Sequence, residues 1–129
     1  MLLTSKVASL LVCSLPALTE AAILFAAQSS GDLSTLALTR QGKSYNLSVT
    51  STNRECGGNP SWLNLDSPQR LLYCLDRGQG NATKGSLNSF RIGKGGALSK
   101  IDGVEAPFSG VAAEYFELDN GKRGYVTAS

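Results

Sequence analysis

The sequence predicts an all-β protein built from repeated four-stranded units, an incomplete β-propeller of about two to two and a half blades. Short runs rich in β-branched, aromatic and leucine residues alternate with clusters of Gly, Asn, Asp and Ser, which is typical of strands and turns. The segment WLNLDSPQR, which begins at Trp62, recurs as YFELDNGKR from Tyr115, 53 residues later. A second pair, GDLSTLALTRQGK from Gly31 and GSLNSFRIGKGG from Gly85, repeats after 54 residues.

The agreement between the two periods indicates a true repeat, and a period near 50 with about four strands in each unit is typical of propeller blades. The predicted strands cover 22–28, 33–39, 44–51, 61–66, 71–75, 85–92, 97–102, 112–118 and 123–127. The fourth to seventh of these make one complete blade. The first three make a blade that lacks its innermost strand, and the last two begin another blade.

A closed propeller needs about four to eight blades, more than this chain supplies. Blades bury their faces against their neighbours, so an open arrangement leaves apolar faces and strand edges uncovered. We therefore expect the chain to be the N-terminal part of a longer propeller, in which a strand from elsewhere completes the first blade. The alternative is a complete small β-sandwich.

Residues 1–21 are predicted to be a secretory signal peptide, and residues 22–129 to be the propeller part. Lys6 supplies a positive charge ahead of the apolar run VASLLVCSLPAL, and Pro16 and Glu20 stop that run from forming a membrane-spanning helix. The small residues Thr19 and Ala21 fit a cleavage site. The alternative is a buried core segment of a cytosolic protein.

The number of cysteines in the predicted mature chain is consistent with secretion. Cys13 would leave with the signal peptide, so that Cys56 and Cys74 remain as an even pair. In an oxidising compartment such a pair favours a disulfide, which would stabilise the fold by about 3 kcal/mol through its effect on the unfolded chain. The alternative is two buried free thiols.

Two sequons, at Asn46 and Asn81, are candidate N-glycosylation sites in a eukaryotic secretory pathway. Asn46 lies in SYNLSVT, where alternation predicts a half-buried strand with Tyr45, Leu47 and Val49 directed inward and Asn46 on the solvent side. Asn81 lies in the polar loop RGQGNATKG.

Charge and composition argue against several classes of function. The length allows one domain at most. The net charge is +2 and the basic residues are scattered, so no surface for nucleic acid or for an anionic membrane is expected beyond the signal peptide. The chain has no histidine, which excludes a Ser-His-Asp triad and a His-based zinc site within it. We expect neither a cofactor nor a metal.

Three segments, NPSWLNLDSPQRLLYCLDRG, KGSLNSFRIGKGGALSKIDGV and GVAAEYFELDNGKRGYVTAS, resemble the lactonase family of seven-bladed β-propellers. That family includes proteins of the 6-phosphogluconolactonase and carboxy-cis,cis-muconate cyclase type, and the signal peptide with paired cysteines is most similar to its secreted fungal branch. The turn sequences Asp66–Gln69 and Asp119–Lys122 specify blades rather than chemistry.

The resemblance implies that the intact parent is a lactone hydrolase or a muconate-lactonising enzyme. Its substrate would be a small anionic lactone or carboxylate, bound in a basic central channel by residues from several blades. We expect the fragment alone to be inactive. The alternative is a non-enzymatic secreted propeller that serves as a binding or scaffold module.

The weak catalytic candidate is Glu114, which the repeat places on an inner strand, where it could act as acid or base if it faces the channel. The alternative is a solvated carboxylate at a strand end. Arg91 and Lys100 could attract an anion, but we expect them to be surface charges of outer strands. Trp62 and Tyr115 occupy matching places in the repeat, and we expect them to lie between blades rather than to form a substrate platform.

Overall fold

The computed structural model describes residues 21–129, so most of the predicted signal peptide, with Cys13, lies outside the described residues. The described part contains nine strands and a short 3-10 turn at Lys94–Gly96. The strands are β1 (Ala21–Ala27), β2 (Leu33–Gln41), β3 (Ser44–Asn53), β4 (Pro60–Asp66), β5 (Leu71–Asp76), β6 (Lys84–Ile92), β7 (Leu98–Pro107), β8 (Ala112–Glu117) and β9 (Arg123–Ala128).

The strands form three consecutive antiparallel sheets. The first sheet has the order β1-β2-β3, the second β4-β5-β6-β7, and the third β8-β9. The all-β class and the division into one four-stranded unit between two partial ones are confirmed. Strand β7 is longer than predicted because its pairing with β6 continues until Pro107 lies opposite Lys84.

Tight turns connect β2 with β3 and β4 with β5. Between β2 and β3, Gly42 has φ 62°, a backbone conformation that glycine adopts without steric cost. Between β4 and β5, Asp66 accepts a hydrogen bond at its Oδ1 from the backbone N–H of Gln69, 3.3 Å away. An aspartate that folds back onto the backbone in this way favours a turn, as the sequence predicts.

The first core lies between the first and second sheets. It consists of fully buried side chains from β2, β5, β6 and the loop that follows β3, namely Leu33, Cys56, Leu72, Cys74 and Phe90. Cys56 and Cys74 form a disulfide with their Cα atoms 5.9 Å apart, which confirms the predicted bridge. The bridge ties the loop between the two sheets to β5.

The second core lies between the second and third sheets, where Leu75, Ala106 and Ala113 are buried together with parts of Leu87 and Tyr125. Successive side chains of a strand point to opposite faces. Cys74 therefore reaches the first core while the adjacent Leu75 reaches the second, and β5 is apolar on both faces. The second sheet is thus covered on both faces, as a blade is covered by its neighbours.

The outer face of the first sheet differs from the prediction. Tyr45, Leu47 and Val49 were predicted to point inward, but all three are exposed. The opposite face of this sheet, with Leu33, packs on the second sheet. Within residues 21–129 no further sheet covers the face that carries Tyr45, Leu47 and Val49.

Between residues 21 and 129 there is no helix of the length and hydropathy needed to cross a membrane.

Candidate functional site

Strands β4 and β8, which we call the inner strands, each occupy one edge of their sheet and contact each other. Each is the first strand of its sheet in chain order, so the repeat places the two strands at equivalent positions. Side chains from different repeats therefore meet along this edge. Any site assembled from more than one repeat would draw on these two strands.

Glu114 is exposed on β8 and contacts the neighbouring inner strand. Its Oε2 accepts a hydrogen bond from the Nδ2 of Asn64 on β4, at 3.2 Å. Beside it lies an open hollow of about 140 Å³ that Ala112, Ala113 and Val126 help to line. The sequence did not single out Asn64, because the contact joins residues 50 positions apart. The Asn64 amide thus holds the Glu114 carboxylate in a solvent-exposed position, where the carboxylate can accept a proton.

A second polar contact joins the sheets where β4 ends. Arg123, the first residue of β9, donates from Nη1 to Oδ2 of Asp66 at 2.6 Å and from Nε to Oε2 of Glu117 at 2.9 Å. The Asp66 side chain is only 4% exposed. Desolvation lowers the pKa of Arg123, but the hydrogen bonds to Glu117 and Asp66 outweigh it and raise that pKa above its ordinary value. Asp66 therefore does more than shape its turn, since it also binds the next sheet.

Three tyrosines lie between the second and third sheets. The ring of Tyr125 is 4.8 Å from the ring of Tyr73 and 6.2 Å from that of Tyr115. The hydroxyl of Tyr125 is buried and has no hydrogen-bond partner within residues 21–129. Burial, followed by the neighbouring Tyr73, raises the pKa of this phenol well above its ordinary value of 10.0. The hydroxyl is thus held in its neutral form.

Comparison with known families assigns the architecture. Residues 20–129 match the family described as lactonase, 7-bladed beta-propeller. The chain belongs to this lactonase family. Searches of curated proteins and of solved structures found no match. The three sheets are accordingly lactonase blades: the second is a complete blade, and the first and third are partial ones.

The two basic residues singled out from the sequence lie apart from the inner strands of the lactonase blades. Arg91 is exposed on β6. Lys100 on β7 donates from Nζ to the carbonyl oxygen of Glu55 at 3.1 Å, which fastens the loop between two blades. Neither side chain meets Glu114, so the structure does not bring the three charges together.

Trp62 and Tyr115 are both 38% exposed, but they occupy different registers. Trp62 lies opposite Leu75 in its blade, whereas Tyr115 lies opposite Tyr125. Tyr115 shares a face with its cross-strand partner Tyr125, whose ring lies against Tyr73 of the preceding blade. Trp62 lies on the other face of β4 from its neighbour Leu63, which packs on the first core. Two residues that match in the sequence repeat, Trp62 and Tyr115, therefore do not point to the same face of their sheets.

The remaining site predictions concern modification and metals. Asn46 on β3 and Asn81 in the loop before β6 are both exposed. In the part of the chain that the structure describes, no three His, Cys, Asp or Glu side chains are grouped so as to hold a metal ion.

Replacing Asp66 with Asn is expected to lower the free energy of unfolding by about 1–3 kcal/mol. The change removes a charge that pairs with Arg123 in a largely desolvated place between blades. Urea denaturation measures the loss. The matched control is Lys84→Gln, which breaks the exposed pair with Glu105 and should cost less than about 1 kcal/mol. If the two changes lower the free energy of unfolding equally, burial of Asp66 does not make its ion pair more stabilising than an exposed one.

Replacing Tyr125 with Phe is expected to leave the free energy of unfolding unchanged at neutral pH or to raise it by about 1 kcal/mol, because a buried hydroxyl without a partner is removed and the ring contacts stay. The pKa of Tyr125 is raised in the folded protein, so the unfolded chain loses this proton first. The stability that depends on the neutral phenol is therefore present below pH 10.0 and is lost as the pH rises beyond it. Denaturation between neutral pH and about pH 11 should show a shallower alkaline decline for Tyr125→Phe. An equally steep decline in Tyr73→Phe and Tyr125→Phe would contradict this assignment.

Proposed function

We propose that the intact protein is a secreted lactone hydrolase or muconate-lactonising enzyme of the 6-phosphogluconolactonase or carboxy-cis,cis-muconate cyclase type. Residues 22–129 would be its N-terminal blades. The observation that supports this most is the lactonase match over residues 20–129, together with sheets that follow one another as blades. The nine strands account for fewer than three of seven four-stranded blades, which supports a longer parent.

The substrate class we propose is a small anionic lactone or carboxylate. Opening a lactone needs a base for the attacking water and donors or cations for the developing oxyanion. On this chain we assign the base role to Glu114, whose carboxylate is anchored by Asn64 on the adjacent inner strand. Arg123 is already bound to Asp66 and Glu117, so the cations for an anionic substrate would come from other blades of the parent.

The 129-residue chain alone is expected to show no lactone hydrolysis above a boiled control, because a site drawn from several blades is incomplete in it. The assay compares the purified chain with the full-length parent, using a phosphorylated sugar lactone and a neutral lactone as substrates. Activity of the short chain would contradict the proposed incomplete site.

In the parent, Glu114→Gln should reduce kcat at least about a hundredfold if Glu114 is the general base. Glu105→Gln, which changes an exposed carboxylate on an outer strand, is the matched control and should leave kcat unchanged. Equal rates in wild type and Glu114→Gln would remove Glu114 from the mechanism.

A non-enzymatic binding or scaffold propeller is the second candidate. It is favoured by the exposure of Glu114. The same assay separates the two candidates: a folded parent that opens no lactone and lactonises no muconate is a scaffold or binding module.

Secretion is proposed from the signal-like residues 1–21, and glycosylation from the exposed Asn46 and Asn81. Expression in a secretory yeast host tests both. Secreted protein should begin at Ala22 and should move faster on a gel after endoglycosidase treatment. Retention in the cytosol with an intact N-terminus would refute secretion.

A further inference from the structure

The hairpin loop between β8 and β9 places an asparagine directly before a glycine in solvent. The backbone N–H of Leu118 closes the loop by donating to the carbonyl oxygen of Lys122 at 2.7 Å. The three residues between them, Asp119, Asn120 and Gly121, are exposed. Gly121 has φ 75°, which fits the left-handed last position of a three-residue hairpin loop. No other asparagine in the sequence is followed by glycine.

The side chain of Asn120 folds back over this loop. Its Oδ1 accepts a hydrogen bond from the backbone N–H of Lys122 at 3.0 Å, which keeps the side-chain amide carbon beside the backbone of Gly121. If the Gly121 nitrogen attacks that carbon, negative charge develops on Oδ1, where the Lys122 N–H already donates. A donor that is in place at the oxygen that gains charge lowers the barrier to such a step.

Gly121 supplies the nucleophile, and it has no Cβ to hinder close approach of its backbone to the preceding side chain. In the folded loop the N–H of Gly121 donates to the carbonyl oxygen of Leu118 at 2.8 Å, so this bond has to open before the nitrogen attacks. Within residues 21–129, β8 and β9 form a sheet of two strands only. The end of such a hairpin opens with the loss of few contacts.

The other asparagines lack this combination of features. Asn88 is buried, and its Nδ2 donates to the carbonyl oxygen of Cys56. Asn81 is exposed in a loop, as Asn120 is, but Ala82 follows it and places a Cβ next to the attacking nitrogen. The residues that follow all the asparagines except Asn120 carry a Cβ, and they are Leu47, Arg54, Pro60, Leu65, Ala82 and Ser89.

We propose that Asn120 is a site of spontaneous modification, at which the side-chain amide is lost as ammonia. The Gly121 nitrogen forms a bond to Cγ of Asn120 while the bond from Cγ to Nδ2 breaks, and the proton of the Gly121 nitrogen leaves with Nδ2 in the ammonia. The resulting succinimide then adds one water molecule. Opening at the side-chain carbonyl gives aspartate, and opening at the backbone carbonyl gives isoaspartate, whose main chain is longer by one carbon. Water is the single co-reactant.

The isoaspartate product would alter the contact between the second and third sheets. Arg123 begins β9 just beyond the loop, and it pairs with Asp66 of β4. A longer main chain changes the geometry of the bonds that close the loop between Leu118 and Lys122. We expect isoaspartate at position 120 to displace Arg123 from Asp66. An ordinary aspartate there keeps the loop, because its carboxylate accepts the same N–H of Lys122.

Incubation of the folded 129-residue chain at physiological pH and temperature tests the site. The chain is produced in a bacterial periplasm, where no N-glycan is added. Incubation in water labelled with oxygen-18, followed by trypsin digestion in ordinary water, marks only the modification that occurs during incubation. Asn120 is the single asparagine of the tryptic peptide 101–122, and Asn81 is that of peptide 78–84. We expect Asn120 to take up heavy oxygen at least about tenfold faster than Asn81, as both aspartate and isoaspartate.

Gly121→Ala is the matched variant, because a Cβ at this position meets no atom within 4 Å. It should slow the uptake at Asn120 at least about tenfold, with circular dichroism to establish that the variant is folded. Equal uptake at Asn120 and Asn81, or no uptake at Asn120, would overturn the proposed site. These two readouts come from the wild-type chain and do not depend on the folding of a variant.

Hydrogen exchange tests the effect of the modification on the hairpin. The isoaspartate fraction of the incubated chain is compared with Asn120→Asp, which carries the same charge on an unchanged main chain. Residues 123–128 should exchange faster in the isoaspartate fraction than in Asn120→Asp. Equal exchange in the two would contradict the expected displacement of Arg123. Neither measurement depends on lactone chemistry, so the enzymatic proposal is left to its own test.

Discussion

Replacing Phe90 with Ala is expected to lower the free energy of unfolding by about 3–5 kcal/mol, the largest effect of any single substitution considered for this chain. Phe90 is 0% exposed and lies in the core between the first two blades, against side chains of both. The substitution removes the apolar contacts of a full ring and leaves a cavity, because a packed interior relaxes only partly. Urea denaturation, followed by the fluorescence of the one tryptophan, Trp62, measures the change.

Phe108→Ala is the matched control for that substitution. Phe108 is 42% exposed in the loop after β7, so its loss should cost about 1 kcal/mol or less. If the two substitutions cost the same, the interface between the first two blades does not hold the chain together. If the slope of the unfolding free energy against urea concentration falls for Phe90→Ala alone, the first blade has unfolded while the second remains folded.

The strands and their grouping could be predicted from the sequence because both depend on local chemistry. Turn residues such as Gly42 and Asp66 mark where each strand ends, and the repeat of about 53 residues divides the strands into blades. The disulfide could also be predicted, because only two cysteines remain after the signal-like segment. These features need no knowledge of how one blade packs on the next.

The contacts between blades could not be predicted in the same way. The pairs Asn64–Glu114 and Asp66–Arg123 join residues 50 and 57 positions apart, and their geometry depends on how the sheets are stacked. One feature of the sequence does point to these contacts between blades. The repeat places an aspartate and an arginine in each hairpin, and turn chemistry accounts for the aspartate only. An arginine that turn chemistry does not explain can bind a partner in another blade, as Arg123 binds Asp66.

The mismatch of Trp62 and Tyr115 has a physical reason as well. The hairpin between β4 and β5 is shorter than the one between β8 and β9, where Leu118 donates its backbone N–H to the carbonyl oxygen of Lys122. A change in hairpin length shifts the register, and a shift by an odd number of residues turns a side chain to the other face of its sheet. Sequence alignment alone does not detect that reversal.

Removing the disulfide by replacing Cys56 and Cys74 with Ala is expected to destabilise the chain by about 3 kcal/mol or more. The bridge closes a loop between residues 18 positions apart, and its loss returns conformational entropy to the unfolded chain. Both sulfur atoms also lie in the core between the first two blades, so the alanine pair leaves unfilled space there. Urea denaturation of the oxidised wild type and the double variant measures the difference.

Reduced wild-type protein separates the two contributions, because reduction opens the loop while the cysteine side chains still fill the core. It should lie between oxidised wild type and the alanine pair in stability. The loop that carries Cys56 is also held by Asn88, whose Nδ2 donates to the Cys56 carbonyl oxygen at 2.6 Å. Asn88→Ala should therefore destabilise the reduced protein more than the oxidised one, since the bridge holds the loop when the amide is lost. Equal losses in both states would show that the amide and the bridge act on the fold independently.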